Sequence, residues 1–249
     1  MLYKVKTLAG YKMHSRDGEI GRVKEFYFDD LHWKVRYLLA DTGKWLPGRK
    51  VLISPESLID VRKTTQDIAV KLTKKQIEES PSLDSDKPVS RQFEESFYEY
   101  YSWPIYWEEP YSAESQPYML SNSDNAYIPV GNEGGKPLDP HLISTHSLMG
   151  YGVHALDGEI GIIDDFIIED LEWAIRYLVI DTQNQNQDEK VLISTKWIDR
   201  FSWDDSKVFV NLTREAVKLS PKYIDDDTIT RDYENGLHRH YNRQGYWED

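Results

Sequence analysis

The sequence predicts a mainly β fold: two small β-barrels in tandem, each followed by a short helical tail. Three observations lead there. The chain repeats itself at a spacing of 140 residues. Its apolar residues alternate with period two over several short runs. Those runs are bounded by turn residues, above all Asp17-Gly18-Glu19-Ile20-Gly21, which recurs as Asp157-Gly158-Glu159-Ile160-Gly161. Short strands spaced by turns point to a small barrel, and closure would remove the exposed edges such strands leave.

The repeat runs through most of the chain. Gly10-Tyr11 and His14 meet Gly150-Tyr151 and His154, and Arg36-Tyr37-Leu38 meets Arg176-Tyr177-Leu178. Lys50-Val51-Leu52-Ile53-Ser54 meets Lys190-Val191-Leu192-Ile193-Ser194, and Tyr106-Trp107-Glu108 meets Tyr246-Trp247-Glu248. The predicted organisation is a first unit over 1–108 (barrel about 1–81, tail 82–108) and a second over 141–249 (barrel about 141–221, tail 222–249). Residues 109–140, rich in Pro and Gly, read as a linker. The duplication predicts either an intramolecular pseudo-dimer or a homodimer.

Within one unit, Glu19 to Asp29 carries Ile20, Val23, Phe26 and Phe28 and reads as a strand. In the next, Trp33, Val35, Tyr37 and Leu39 face one way; Leu38 and Ala40 make the other face half apolar. Lys50 to Ser54 is a short apolar run. Ile68, Val70 and Leu72 alternate, as do Val208, Val210 and Leu212, behind the turn signal Asp204-Asp205-Ser206. Thr73 begins a short helix that Ser80-Pro81 stops. Ser90 to Tyr101 puts Phe93, Phe97, Tyr100 and Tyr101 on one helical face, and Thr230 to Tyr241 does the same with Tyr233, Leu237, His240 and Tyr241.

The repeated pentapeptide reads as a turn rather than a reacting site. Asp-Gly is a strong hairpin signal because Gly accepts positive φ. The second Gly fits a bulge or a close backbone approach. Asp17, Gly18, Gly21, Asp157, Gly158 and Gly161 are therefore structural. Arg36 with Asp41, and Arg176 with Asp181, are expected to form an ion pair inside each barrel.

Composition narrows the function. Cysteine is absent, which excludes disulfides, thiolate catalysis and cysteine zinc sites. The net charge of −13 repels phosphate backbones and argues against nucleic-acid binding while permitting basic protein partners. No apolar run suits a signal core or a transmembrane segment, so a cytoplasmic protein is expected.

The run Gly10-Tyr11, DGEIG, then RYLLADTGKWLPGRKVLISP up to residue 55 resembles the PRC-barrel family. That family includes the cytoplasmic part of the photosynthetic reaction-centre H subunit and a domain of a bacterial ribosome maturation factor. The resemblance covers roughly 5–80 and again 145–220. It implies a small, highly curved β-barrel used for protein contacts rather than catalysis. The second copy departs from it at Gln183-Asn184-Gln185-Asn186-Gln187-Asp188-Glu189, so any role of Trp45 belongs to the first unit alone.

Other clusters carry less. His238-Arg239-His240 reads as polar helix surface, since two histidines at i and i+2 do not share a helix face. Asp84-Ser85-Asp86 and Asp225-Asp226-Asp227 lack calcium-loop spacing and read as solvated loops. The leading expectation is a non-catalytic interaction or scaffold module with no catalytic residues, cofactor or metal. Its candidate interface is aromatic: Trp45, Phe97, Tyr100, Tyr101, Trp103, Tyr106 and Trp107. Packing of these tails onto a barrel is favoured over an intermolecular hot spot. The competing classes are a carboxylate- or histidine-based metal-dependent hydrolase and, more weakly, a ribosome- or RNA-associated factor.

Overall fold

A computed structural model describes residues 1–47, 49–81, 89, 91–106, 132–133, 136–137, 142–182, 189–224 and 228–248. The fold is mainly β, with two principal sheets and a short two-stranded ribbon. In chain order the elements begin with β1 (Leu2–Lys4), α1 (Val5–Leu8), β2 (Lys12–Ser15), β3 (Gly18–Asp29), β4 (Val35–Asp41), β5 (Lys50–Ile53), β6 (Leu58–Arg62), β7 (Asp67–Val70), α2 (Lys74–Glu78) and α3 (Arg91–Tyr101). The ribbon β8 (Asn132–Glu133) and β9 (Lys136–Pro137) follows. The pattern then repeats as β10 (Leu142–Ser144), α4 (Thr145–Leu148), β11 (Gly152–Ala155), β12 (Gly158–Glu169), β13 (Ala174–Asp181), β14 (Lys190–Ser194), β15 (Ile198–Ser202), β16 (Lys207–Val210), α5 (Arg214–Lys218), β17 (Lys222–Tyr223) and α6 (Arg231–His240). Among the described residues, no helix is long and apolar enough to cross a membrane.

The compact units do not coincide with the sequence repeats. One, the N-unit, is Thr7–Thr145; the other, the C-unit, combines Met1–Lys6 with His146–Asp249. Each sheet is completed by the strand that precedes the other repeat. In the C-unit β1 pairs antiparallel with β12, Tyr3 opposite Ile168. In the N-unit β10 pairs with β3, Ile143 opposite Phe28. The exchange is anchored by burial of Tyr3 and Val5 in one unit and Leu142 in the other. Polar ties add to it: Lys6 N–H donates to Asp165 at 3.1 Å, and Ser144 Oγ donates to Glu25.

The N-unit sheet runs β5-β4-β3-β2-β7-β6, and the C-unit sheet β15-β16-β11-β12-β13-β14-β17. Among the described residues both orders have two ends. The closed barrels expected from strand length are therefore not what the pairing forms. The edges are managed differently: β6 and β15 are five residues long and expose Asp60, Arg62, Asp199 and Arg200. Short strands bearing charge resist pairing with another sheet without closure.

The long strands β3 and β12 do most of the shaping. Met13 opposes Gly21 but His14 opposes Glu19, so Ile20 is an inserted bulge residue that bends β3. Gly18 and Gly158 hold φ of +144° and +139° in the turn before their strands. Gly21 and Gly161 serve a second purpose. A Cβ at Gly21 would lie 2.0 Å from the carbonyl oxygen of Asp41, and one at Gly161 would lie 2.0 Å from that of Asp181. The aspartate of the pentapeptide reaches further. Asp17 Oδ1 accepts from Lys74 N at 2.8 Å, and Asp157 Oδ1 from Arg214 N at 2.7 Å. The turn thereby holds the first residue of α2 or α5. The Lys74 backbone N–H, with the Ser15 hydroxyl, holds the Asp17 carboxyl below the usual carboxylate range.

Helix starts follow side-chain chemistry. Thr73 caps α2 in a reciprocal box with Gln76, and Thr213 and Thr230 cap α5 and α6. The strand expected from Trp33 begins at Val35 instead. Trp33 lies in the preceding turn at φ +56° and stacks on Phe28 at 5.1 Å. It is buried from the turn, which is why it matched the strand's alternation.

Gly21→Ala should lower the thermal midpoint far more than Gly43→Ala. Gly43 has φ +57° and open space around it, so alanine there costs about 1 kcal/mol. At Gly21 the backbone of Asp41 must move, a cost of about 3 kcal/mol or more. Equal shifts in calorimetry would contradict the close crossing of β3 and β4.

Candidate functional site

Each unit buries one glutamate beneath its tail helix. In the N-unit Glu94 on α3 is fully buried. Its Oε1 accepts from Tyr37 OH on β4 and from Tyr106 OH, each at 2.9 Å. The Arg36 guanidinium lies 3.7 Å from the centroid of the Tyr106 ring, and Phe97 meets Tyr37 edge-on at 5.4 Å. A buried carboxylate is costly unless hydrogen-bonded, and two phenols supply the bonds. Burial, then the Glu94 charge, raises the Tyr37 pKa well above its ordinary value, so the hydroxyl stays a donor. The same causes push Tyr98 up to about 12.

The C-unit builds the same network from the matching residues. Tyr177 OH donates to Glu234 Oε1 at 2.9 Å, and the Arg176 guanidinium lies 4.1 Å from the Tyr246 ring centroid. Arg231 pairs with Glu234 Oε2 at 3.1 Å. His238 stands where the N-unit has Tyr98, and it is buried. Its Nε2 lies 3.1 Å from Tyr177 OH and its Nδ1 2.8 Å from the Gln244 carbonyl. His238 is thus not polar helix surface. His240, two residues on, turns away and meets the Ala216 carbonyl at 2.7 Å.

The predicted ion pairs form with other partners. Arg36 Nε donates to Asp29 Oδ2 at 2.7 Å, and Arg176 pairs with Glu169 and Glu172 at 3.1 and 2.9 Å. Asp41 instead accepts the Gly43 N–H at 2.9 Å. Residues five apart on a strand point to opposite faces and lie roughly 16 Å apart, so Arg36 cannot reach Asp41. Burial would raise the Asp29 carboxyl. The His32 hydrogen bond and the Arg36 charge outweigh it and hold it below the usual range.

The aromatic tail of the N-unit packs on its own unit. Phe97 is 1% exposed and is core, not interface. Tyr101, Trp103 and Tyr106 are half-buried, with Tyr101 stacked on Trp103 at 4.5 Å. Tyr100 is exposed and donates to the Gln76 carbonyl at 2.9 Å. Trp45 is half-buried beside the Lys74 ammonium, 5.2 Å from its ring centroid. Trp107, the acidic triplets at 84–86 and 225–227, and the 183–188 loop lie outside the described residues.

A second aromatic group was not foreseen. On the β15–β16 hairpin, Phe201 and Trp203 stack at 5.4 Å and 11°, and Tyr151 meets Trp203 at 6.2 Å. Trp203 is 43% exposed. Across β11, β16 and β15, His154 approaches Phe209 at 5.6 Å and the Arg200 guanidinium lies 4.0 Å from the Phe209 ring centroid. The matching N-unit residues are Val61, Lys63, Ala69 and Asp60. The signal was available: comparing the copies for aromatics gained by one, rather than residues kept by both, singles out Phe201, Trp203 and Phe209.

No protein-family model matches the chain, and no curated protein shows a significant match to it. Among the described residues, no group of three or more His, Cys, Asp or Glu is placed to hold a metal ion.

Asp165 is the carboxylate with the clearest pH consequence. It is buried on β12 and accepts from the backbone N–H groups of Lys6 and Phe166 at 3.1 and 2.8 Å. Burial raises its pKa to about 6 despite those bonds. The folded state therefore holds the proton more tightly than the unfolded chain, whose aspartates titrate near 3.9. The cost of the buried charge is full above about pH 6 and disappears as pH falls toward 4. Asp165→Asn keeps an acceptor oxygen and should stabilise the protein by about 2 kcal/mol at pH 7.5 and by nothing at pH 4. Urea unfolding at both pH values checks this; a gain that does not depend on pH would contradict it.

Proposed function

We propose that the chain is a non-catalytic interaction module of the PRC-barrel kind: two related units that share a scaffold and differ in the surface each offers to protein partners. The observation that carries this reading is that each copy exposes its aromatic at a different place, Tyr100 on the N-unit tail and Trp203 on the C-unit hairpin. The aromatics that both copies keep, Tyr37 with Tyr177 and Tyr106 with Tyr246, are engaged in their own units. The large rings peculiar to one copy include Trp203, exposed on a hairpin where the other copy has Lys63. Exposed aromatics beside an arginine suit protein contacts, since such residues dominate interface hot spots. A net charge of −13 favours a partner with a basic surface. The buried carboxylates Glu94 and Glu234 are held by phenols, which suits a structural role. The family relation we propose rests on the motifs of the first repeat.

The test uses the full-length chain as bait beside its Trp203→Ala and Trp45→Ala variants, with captured proteins identified by mass spectrometry. Truncating a hot-spot aromatic costs about 2 kcal/mol, or roughly thirtyfold in affinity. At least one variant should therefore lose proteins that the wild type retains, with circular dichroism unchanged. Identical capture by all three would contradict the reading.

A further inference from the structure

We propose that His238 makes the tail of the C-unit acid-labile: protonation of its imidazole loosens α6 and the residues after it from the sheet, while the tail of the N-unit stays in place.

The geometry defines which atom takes the proton. Nδ1 lies 2.8 Å from the Gln244 carbonyl, which can only accept, so Nδ1 carries the hydrogen in the neutral ring. Nε2 is then the basic atom, and it faces Tyr177 OH at 3.1 Å. The Tyr177 hydroxyl gives its one proton to Glu234 Oε1 at 2.9 Å, so Nε2 faces the hydroxyl oxygen. Protonation places a charge in a dry setting, since His238 is only 3% exposed.

The surroundings come from four elements. From β13, Tyr177 meets the imidazole. From the turn before β15, Trp197 packs edge-on at 5.1 Å and Lys196 adds a positive charge. From α6 itself come Glu234 and the positive charge of Arg231. From the tail, Trp247 packs at 5.0 Å and Glu248 supplies a negative charge. Burial is the largest influence and lowers the His238 pKa. Lys196 and Arg231 act in the same direction, and the Gln244 bond and Glu248 oppose them without reversing it.

The sign follows. The folded state binds this proton less readily than the unfolded chain, whose histidine titrates near 6.5. The contribution of the neutral ring is complete above about pH 6.5 and is lost as pH falls below it. The N-unit provides an internal control, because Tyr98 occupies the matching place and stays neutral across that range. Loosening the C-unit tail would uncover Trp197, Tyr177 and the buried face of Leu237.

The test is native-state hydrogen exchange of the full chain at pH 7.5 and pH 5.0, read by mass spectrometry and corrected for intrinsic rates. Protection over 231–241 should fall at pH 5.0 relative to 91–101 in the same molecule. His238→Tyr, which copies the N-unit residue, should abolish that difference. His240 shares the helix but meets the Ala216 carbonyl rather than Tyr177, so this variant separates the two. Equal loss of protection in both helices overturns the proposal, and that comparison needs no variant. Persistence of the acid loss in His238→Tyr also overturns it.

Discussion

The hydrogen bond from a strand tyrosine to a buried glutamate, Tyr37 to Glu94 and Tyr177 to Glu234, is the contact on which each unit's tail depends. A carboxylate taken out of water must be compensated nearly in full or it unfolds its surroundings. That requirement ties three segments together. The tyrosine comes from an interior strand, β4 or β13, the glutamate from the tail helix, and in the N-unit a second phenol, Tyr106, comes from beyond the helix. Apolar packing of Phe97 or Leu237 could tolerate small shifts of the helix. A carboxylate that needs its donors within hydrogen-bond distance cannot, so it fixes where the helix sits.

Duplication explains what the rest of the scaffold shares. Gly21 and Gly161 are kept because the chain crosses a carbonyl at a distance no side chain permits. Asp17 and Asp157 are kept because each holds a helix start as well as shaping a turn. Retained residues in both copies answer structural demands. Among the places where the copies part is the β15–β16 hairpin, where the C-unit has placed Trp203, Phe201 and Phe209.

Local features were legible from the sequence. The alternation in β3 and β7, the threonine caps and the Asp-Gly turns are all decided by neighbours within a few residues. What escaped is decided at long range. β1 and β10 are three residues each, too short to show a period, and their partners lie more than a hundred residues away. Arg36 looked paired with Asp41 by proximity along the chain, yet strand geometry sends it to Asp29. Glu94 and Glu234 match at the repeat spacing, but Glu94 sits beside Glu95 and Glu99 and Glu234 beside Asp232, and only burial separates them. His238 reads as polar because it lies off the face of Tyr233, Leu237, His240 and Tyr241, and its burial comes from the long-range contact with Tyr177.

The most direct measurement is a double-mutant cycle on Tyr37 and Glu94, using Tyr37→Phe, Glu94→Leu and the pair, with stability read from urea unfolding. A buried bond to a charged acceptor predicts a coupling of about 1.5–3 kcal/mol, the double variant losing much less than the two single losses combined. Additive losses, with a coupling within about 0.5 kcal/mol of zero, would show that the carboxylate does not fasten the tail.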